Sequence, residues 1–170
     1  MSLMFHQLYP EIRDLMVEEI ENDIRRRGLY YSRRLSANGF NLWPDVLLDA
    51  AYGGDDETLT QTLLDRQMLI TTGTAVDGRV LGHGYAQTLA EGEFNRYYIR
   101  GICAAAVEGD IPFVTVYRAK RAWAPRPESD AMLGSRIDSL SLLNDLRNNV
   151  GRETQYGIPN GPNSGLTVEY

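Results

Sequence analysis

The stretch "EFNRYYIRGICAAA", Glu93 to Ala106, decides the fold. It holds two arginines and two tyrosines, and its second half is almost wholly apolar after Arg100. On a helical period, Phe94, Tyr98, Ile102 and Ala105 make one face, which Ile99, Cys103 and Ala106 widen until little polar surface is left beyond the second turn. A helix apolar nearly all round is buried. The expectation is a central helix from about Leu89 to Glu108, opened by a capping box at Thr88 to Glu91 and stopped by Gly109.

Upstream, the pattern is helical. From Pro10, a residue suited to a first helical position, Ile12, Leu15, Met16, Ile20 and Ile24 recur at 3- and 4-residue spacing. Acids come early and Arg25, Arg26 and Arg27 come late, complementing the helix dipole, with Gly28 as the stop. A second helix is expected from Pro44 to the Gly53-Gly54 break, and a third from Asp55 or Asp56 through Leu59, Leu63, Leu64 and Met68. Asp77-Gly78 reads as a hairpin turn, though four glycines between Ile70 and Tyr85 suit a loop equally.

Downstream, "IPFVTVYRAKRAW", Ile111 to Trp123, alternates as a strand, with Val114, Val116 and Arg118 on one face and Phe113, Thr115 and Tyr117 on the other. Short helices near Glu128 to Leu133 and Leu140 to Asn149, the loop "GIPNGPNSG" and a final strand "LTVEY" complete the chain. The sum is one α+β domain over 1–170. It is mainly helical over 8–68, with a hairpin or loop over 69–87 and helix, strand, helix, strand over 88–170; the sheet is small, mixed or antiparallel, beside one long buried helix.

The chain has 170 residues, a formal charge of −6 and a single cysteine, which excludes an intramolecular disulfide framework. With no apolar run long enough to span a bilayer and no leader pattern, a soluble cytoplasmic protein with no membrane association is expected. Among 17 basic residues, only Lys120 is a lysine, so nearly every cation is a guanidinium able to fork onto carboxylate or phosphate, unless genomic codon bias is the whole cause.

Three groups of residues carry chemistry. Arg96 and Arg100, one turn apart near the expected positive end of the central helix, could clamp an anion or carboxylate with Glu93 and Tyr98 beside them; otherwise they belong to an internal salt-bridge network, which buried arginines require. Arg118, Lys120, Arg121 and Arg126, interleaved with Tyr117 and Trp123, could contact a nucleic-acid backbone, although the acidic balance disfavours this and charges on an exposed edge strand look the same. Tyr30, Tyr31, Phe40 and Trp43, with Arg33 and Arg34, lie in a connection without core periodicity. Residues from about Leu29 to Trp43 are therefore expected to pack on a second chain, as a symmetric dimer or larger ring, unless the aromatics plug their own core.

Other chemistries find no motif. His6, His83 and Cys103 are isolated, so no metal site is expected; His83 between two glycines could be a loop base, and Cys103 reads as a small buried hydrophobe. Neither phosphate-loop nor dinucleotide fingerprints occur, and no cofactor is expected. The prolines of "GIPNGPNSG" remove amide donors that a phosphate cradle needs. Arg118-Ala119-Lys120 lacks the carboxylate that a divalent-metal nuclease strand would carry.

Together, "GEFNRYYIRGICAAAVEGD", "VYRAKRAWAPRPESDAMLGSRI" and "GPNSGLTVEY" resemble the second half of small uncharacterised proteins from bacterial genomes and prophage-like regions. That resemblance implies a mobile-element or particle-associated protein and assigns no activity, cofactor or site. The leading expectation is a non-enzymatic structural or interaction protein that self-associates or docks on a partner protein. A nucleic-acid-binding accessory protein and a small enzyme with an Arg/Tyr anion pocket are the alternatives.

Overall fold

The computed structural model describes residues 2–70, 82–120, 126–159 and 164–170. The elements run α1 (Pro10–Arg25), α2 (Ala37–Gly53), α3 (Asp56–Asp65), α4 (Gly82–Glu108), β1 (Phe113–Arg118), α5 (Pro127–Ala131), β2 (Arg136–Asp138), α6 (Ser139–Asn148) and β3 (Leu166–Glu169). This is the α+β arrangement read from the sequence, and its sheet is antiparallel in the order β2-β1-β3. The hairpin expected at Asp77-Gly78, and Arg121 and Trp123 of the basic segment, lie outside the described residues. Among the described residues, no helix is long and apolar enough to cross a membrane.

The quoted helix is the axis of the molecule. Phe94, Tyr98, Ile99, Ile102 and Cys103 are all nearly inaccessible, and α1, α3 and α6 pack around α4. Gly101 sets the closest crossing: a Cβ there would stand 3.0 Å from both the Ile12 carbonyl oxygen and Met16 Cγ, so only glycine lets α1 approach this far. Burial also pushes the Cys103 thiol above its ordinary value, as suits a packing residue and not a nucleophile.

Several boundaries differ from expectation. α4 starts at Gly82, so Thr88 and Glu91 do not cap it: Gln87 Nε2 donates to Glu91 Oε1 at 2.6 Å inside the helix, and His83 has its backbone in the first turn. Ala86 and Ala90 are fully buried, and packing on α3 carries the helix through glycines whose intrinsic preference is against it. α2 likewise starts at Ala37, with Ser36 Oγ accepting from Gly39 N, so that Pro44 is an interior residue and not the first. Gly39 is required there, because a Cβ would sit 2.0 Å from the Met68 carbonyl oxygen.

α1 does end where the arginine triplet predicts, but the left-handed position belongs to Arg27 (φ 55°), with Gly28 N bonded back to Asp23 O and Arg27 N to Ile24 O. β1 is the central strand, so its charges do not guard an edge. The alternation holds, with Val114 and Val116 buried opposite Ile137 and Val168. The three-residue β2 has no counterpart in the sequence reading.

Arg100 is the most demanding side chain of the core. Its side chain is 1% exposed, and its Nε donates to Glu19 Oε2 at 2.7 Å while Nη1 and Nη2 fork onto Asp23 Oδ2 and Oδ1 at 2.5 and 3.0 Å. Tyr97 OH donates to Asp23 Oδ2 at 2.8 Å, and Arg147 of α6 closes a second fork on Glu19, its Nε at 3.1 Å from Oε2. Burial alone would raise the Glu19 carboxyl, but Arg147 and Arg100 outweigh it and hold it below the ordinary carboxylate value. Breaking one member of such a network strands the others without water. Arg100→Leu is therefore expected to destabilise the domain by about 3–5 kcal/mol in urea unfolding, whereas Arg25→Ala, which breaks only exposed contacts with Glu21 and Asn22 on α1, should cost under about 1 kcal/mol. Equal, small effects would contradict this account.

Candidate functional site

The two arginines read as a clamp diverge. Arg100 is consumed by α1, as above. Arg96, four residues earlier, faces a cavity of about 550 Å³ between α4, the segment around Tyr30 and the loop that follows α6. Because α4 begins at Gly82, neither arginine stands at its positive end. Tyr98 points elsewhere too: its hydroxyl accepts from Gln7 N at 3.2 Å and its ring packs on Phe5.

α4 supplies the floor. At about 100° per residue, the lining positions Glu91, Asn95, Thr88, Gly92, Arg96 and Glu93 follow one another around an arc of the helix, with Gly92 near its middle. Leu3, Tyr30 and Tyr85 add walls, and Arg126, Arg152 and Glu153 are exposed lining residues at the rim. The loop reaches over Tyr30 because Gly151 (φ 69°) has no side chain: a Cβ there would meet the Tyr30 ring at 2.5 Å.

The floor carries unmet hydrogen-bonding capacity. Among the described residues, four buried side-chain atoms have no partner, and three of them belong to lining residues within one turn of α4: Glu93 Oε2, Asn95 Oδ1 and Arg96 Nε. The fourth, Thr167 Oγ1, is on β3. Asn95 uses its amide on Leu166 O at 2.8 Å, and Arg96 uses Nη1 on Asn149 O at 3.2 Å, while the Arg96 to Glu93 approach is only 3.8 Å. An unpaired buried polar atom costs about 1–3 kcal/mol, so three together represent a substantial local concession.

Gly92 adds a second. Glycine inside a helix is less favourable than alanine by about 1 kcal/mol, and unlike Gly101 this one answers no packing demand, since a Cβ built on it meets no described atom within 4 Å.

Charge is uneven around the cavity. Glu91 is matched by Lys120, whose Nζ bonds Oε1. Arg96, Arg126 and Arg152 then face Glu93 and Glu153. Burial pushes the Glu93 carboxyl up, and Asp23 adds to this against the opposing pull of Arg96 and Arg100. Burial also raises the Tyr30 hydroxyl, so it remains a proton donor. The site therefore presents guanidinium groups, the buried Glu93, the exposed Glu153 and neutral hydrogen-bonding groups.

The remaining expected residues are placed as follows. Arg118 Nη1 donates to Ser164 O at 2.9 Å and Nη2 to Asp130 Oδ1 at 2.5 Å, so with Lys120 it is turned to internal partners, and of the described cations in that segment Arg126 alone is exposed. Trp43 is fully buried and donates from Nε1 to Tyr30 O at 2.9 Å, which makes it core of its own subunit and removes it from any interface. Tyr31 stacks on the exposed Phe40 at 4.3 Å, Arg33 is exposed, and Arg34 lies over the Tyr85 ring. Gly92, Asn95 and Arg152 were not singled out by sequence; the available signal was a glycine interrupting an otherwise strong helix.

No family profile, curated protein or solved structure matches this chain. Chemistry at the site thus rests on its geometry alone.

A raised carboxyl binds its proton more tightly folded than unfolded, so Glu93 favours folding most below the ordinary carboxylate pKa and loses that contribution as pH rises through its raised value. Glu93→Gln, which cannot ionise, is expected to melt above the wild type at neutral and mildly alkaline pH, with the gap closing in acid. A gap that widens in acid would show that Glu93 is a stabilising carboxylate.

Proposed function

We propose that this protein binds a small anionic ligand in the α4 cavity. The reading is supported by one observation above others: Arg96, Arg126 and Arg152 collect around one cavity in a chain of net charge −6, and Arg126 and Arg152 have no carboxylate partner among the described residues. Guanidinium donors left without carboxylate partners are suited to a carboxylate or phosphate supplied from outside. Concave sites with a few convergent polar groups are the usual form of small-molecule sites.

The measurement is thermal shift and calorimetry with small carboxylates and phosphate monoesters at constant ionic strength. At least one should stabilise the protein in a dose-dependent way, with affinity reduced about tenfold or more by Arg96→Gln and also reduced by Arg152→Gln, an exposed residue whose loss leaves the fold intact. Binding indifferent to both substitutions, or no binding across the panel, would overturn the reading.

A second reading, self-association, draws on α2. Phe40, Pro44, Leu48 and Tyr52 recur every four residues along its outer face, with Phe40 53% and Tyr52 75% exposed, and Tyr31 continues the stripe by stacking on Phe40. With Trp43 excluded, Tyr31 and Phe40 are what the Leu29 to Trp43 region offers a second copy or a mobile-element partner, and Pro44, Leu48 and Tyr52 extend that surface beyond it. Light scattering at micromolar concentration should give a dimer or larger ring that Phe40→Ser with Tyr52→Ser dissociates. A monomeric wild type removes self-association.

A further inference from the structure

We infer that Asp145 of α6 is a positioning residue for this cavity: from outside the lining, its carboxylate shapes the loop after α6 and so fixes where Arg152 and Glu153 stand at the rim. This rests on the anion-binding reading above and goes beyond it by naming a residue that acts on binding without touching the ligand.

Asp145 occupies a costly place. It is 6% exposed, it lies in the last turn of α6 where the helix dipole disfavours an acid, and among the described residues no cation is paired with it. Its partners are N–H groups of the following loop. Oδ1 accepts from Asn149 Nδ2 at 2.7 Å and from Gln155 N at 3.0 Å, and Oδ2 accepts from Tyr156 N at 3.0 Å. Hydrogen bonds to a carboxylate are among the stronger ones, so the charge is held here by the loop and the loop by the charge.

The two ties enclose the rim residues. Residues 150–154 run between Asn149 and Gln155 and include Arg152 and Glu153, both of which line the cavity. From Gly151 to Tyr156 every residue except the half-buried Thr154 is exposed, so apart from the seat of Gly151 on the Tyr30 ring this stretch has little packing to hold it. Arg152 N bonds Asn149 O at 3.1 Å and Gly157 N bonds Thr154 O at 3.2 Å, which tightens the turns without joining them to the domain. Asp145 makes that join at both ends. Arg96 Nη1 adds a bond to Asn149 O at the first end, and buried Ile158 anchors the chain beyond the second.

Asp145→Asn keeps the shape of the side chain and replaces one acceptor oxygen by an NH2 group, which sets donor against donor on one side of the loop. The substitution also removes a negative charge near the arginine rim, and that alone would favour an anion. A positioning role therefore predicts a change of the opposite sign to the electrostatic one.

The test is calorimetry with citrate and with glycerol 3-phosphate at constant ionic strength, joined to amide hydrogen exchange of the ligand-free protein. Asp145→Asn should weaken the probe that binds by about fivefold or more, because the loop must then be ordered at the expense of binding. Exchange should quicken over residues 150–156 and stay unchanged in α1 and α4. In an Arg152→Gln background the same substitution should add little further loss, since both act on one contact. Affinity kept or tightened in Asp145→Asn, or losses that multiply in full with those of Arg152→Gln, would overturn the inference while anion binding at Arg96 and Arg152 stands. Should Asp145→Asn not fold, Asn149→Ala, which removes the tie at the start of the loop, is judged by the same comparisons. If neither probe binds the wild type, the inference falls together with the anion-binding reading.

Discussion

A guanidinium removed from water in the middle of the longest helix constrains everything around it. Arg100 can be buried only because Glu19 and Asp23, one turn apart on α1, present three carboxylate oxygens to its fork, and because Tyr97 and Arg147 complete the coordination of those carboxylates. The arrangement fixes the rotation of α1 about its axis, the height of α1 against α4 and the approach of α6. Apolar seams tolerate small slips of one helix along another; a bidentate fork with a second fork behind it does not.

With α4 so fixed, Gly92 and Gly101 have opposite roles. Gly101 is present because neighbouring atoms crowd it, and it lets the Ile12 backbone come close. Gly92, nine residues earlier, is present although nothing crowds it. The same helix is thus dense toward α1 and relieved toward the loop after α6. The central helix is at once the core's main element and the floor of the cavity, which is why its entrance is polar and its far half is not.

Local signals read well and pairwise ones did not. Asp55 caps α3 through a reciprocal bond with Thr58, Pro10 opens α1, and Val114 and Val116 alternate inward as their spacing requires, because each of these depends on neighbours in the chain. The division between Arg96 and Arg100 depends on where Glu19 and Asp23 lie in space, 81 and 77 residues away from Arg100 respectively, and no periodicity encodes that. Pro44 misled because proline at a first helical position is common, while Ser36, a better cap eight residues upstream of that expected start, had already begun the helix. Trp43 misled for a related reason: within an unrecognised helix its core-facing position was invisible. Of the cavity, Glu93 and Arg96 were legible as residue types in a suspicious place. Asn95 and Gly92 became meaningful only once their neighbours were known.

The double fork on Glu19 also orders the assembly of the chain. It joins segments 81 and 128 residues apart, and closing a loop of that size costs about 4 kcal/mol in chain entropy, before the charges give up their water. Opposite charges still hydrated attract too weakly at range to meet that cost. The apolar seam of Ile12, Met16 and Ile20 against Ile99, Ile102 and Cys103 must therefore draw α1 onto α4 first. The ion network then acts as a latch that drops only when the helices are already in register, so misregistered packings of the same apolar surfaces are left with buried, unpaired charge and are rejected.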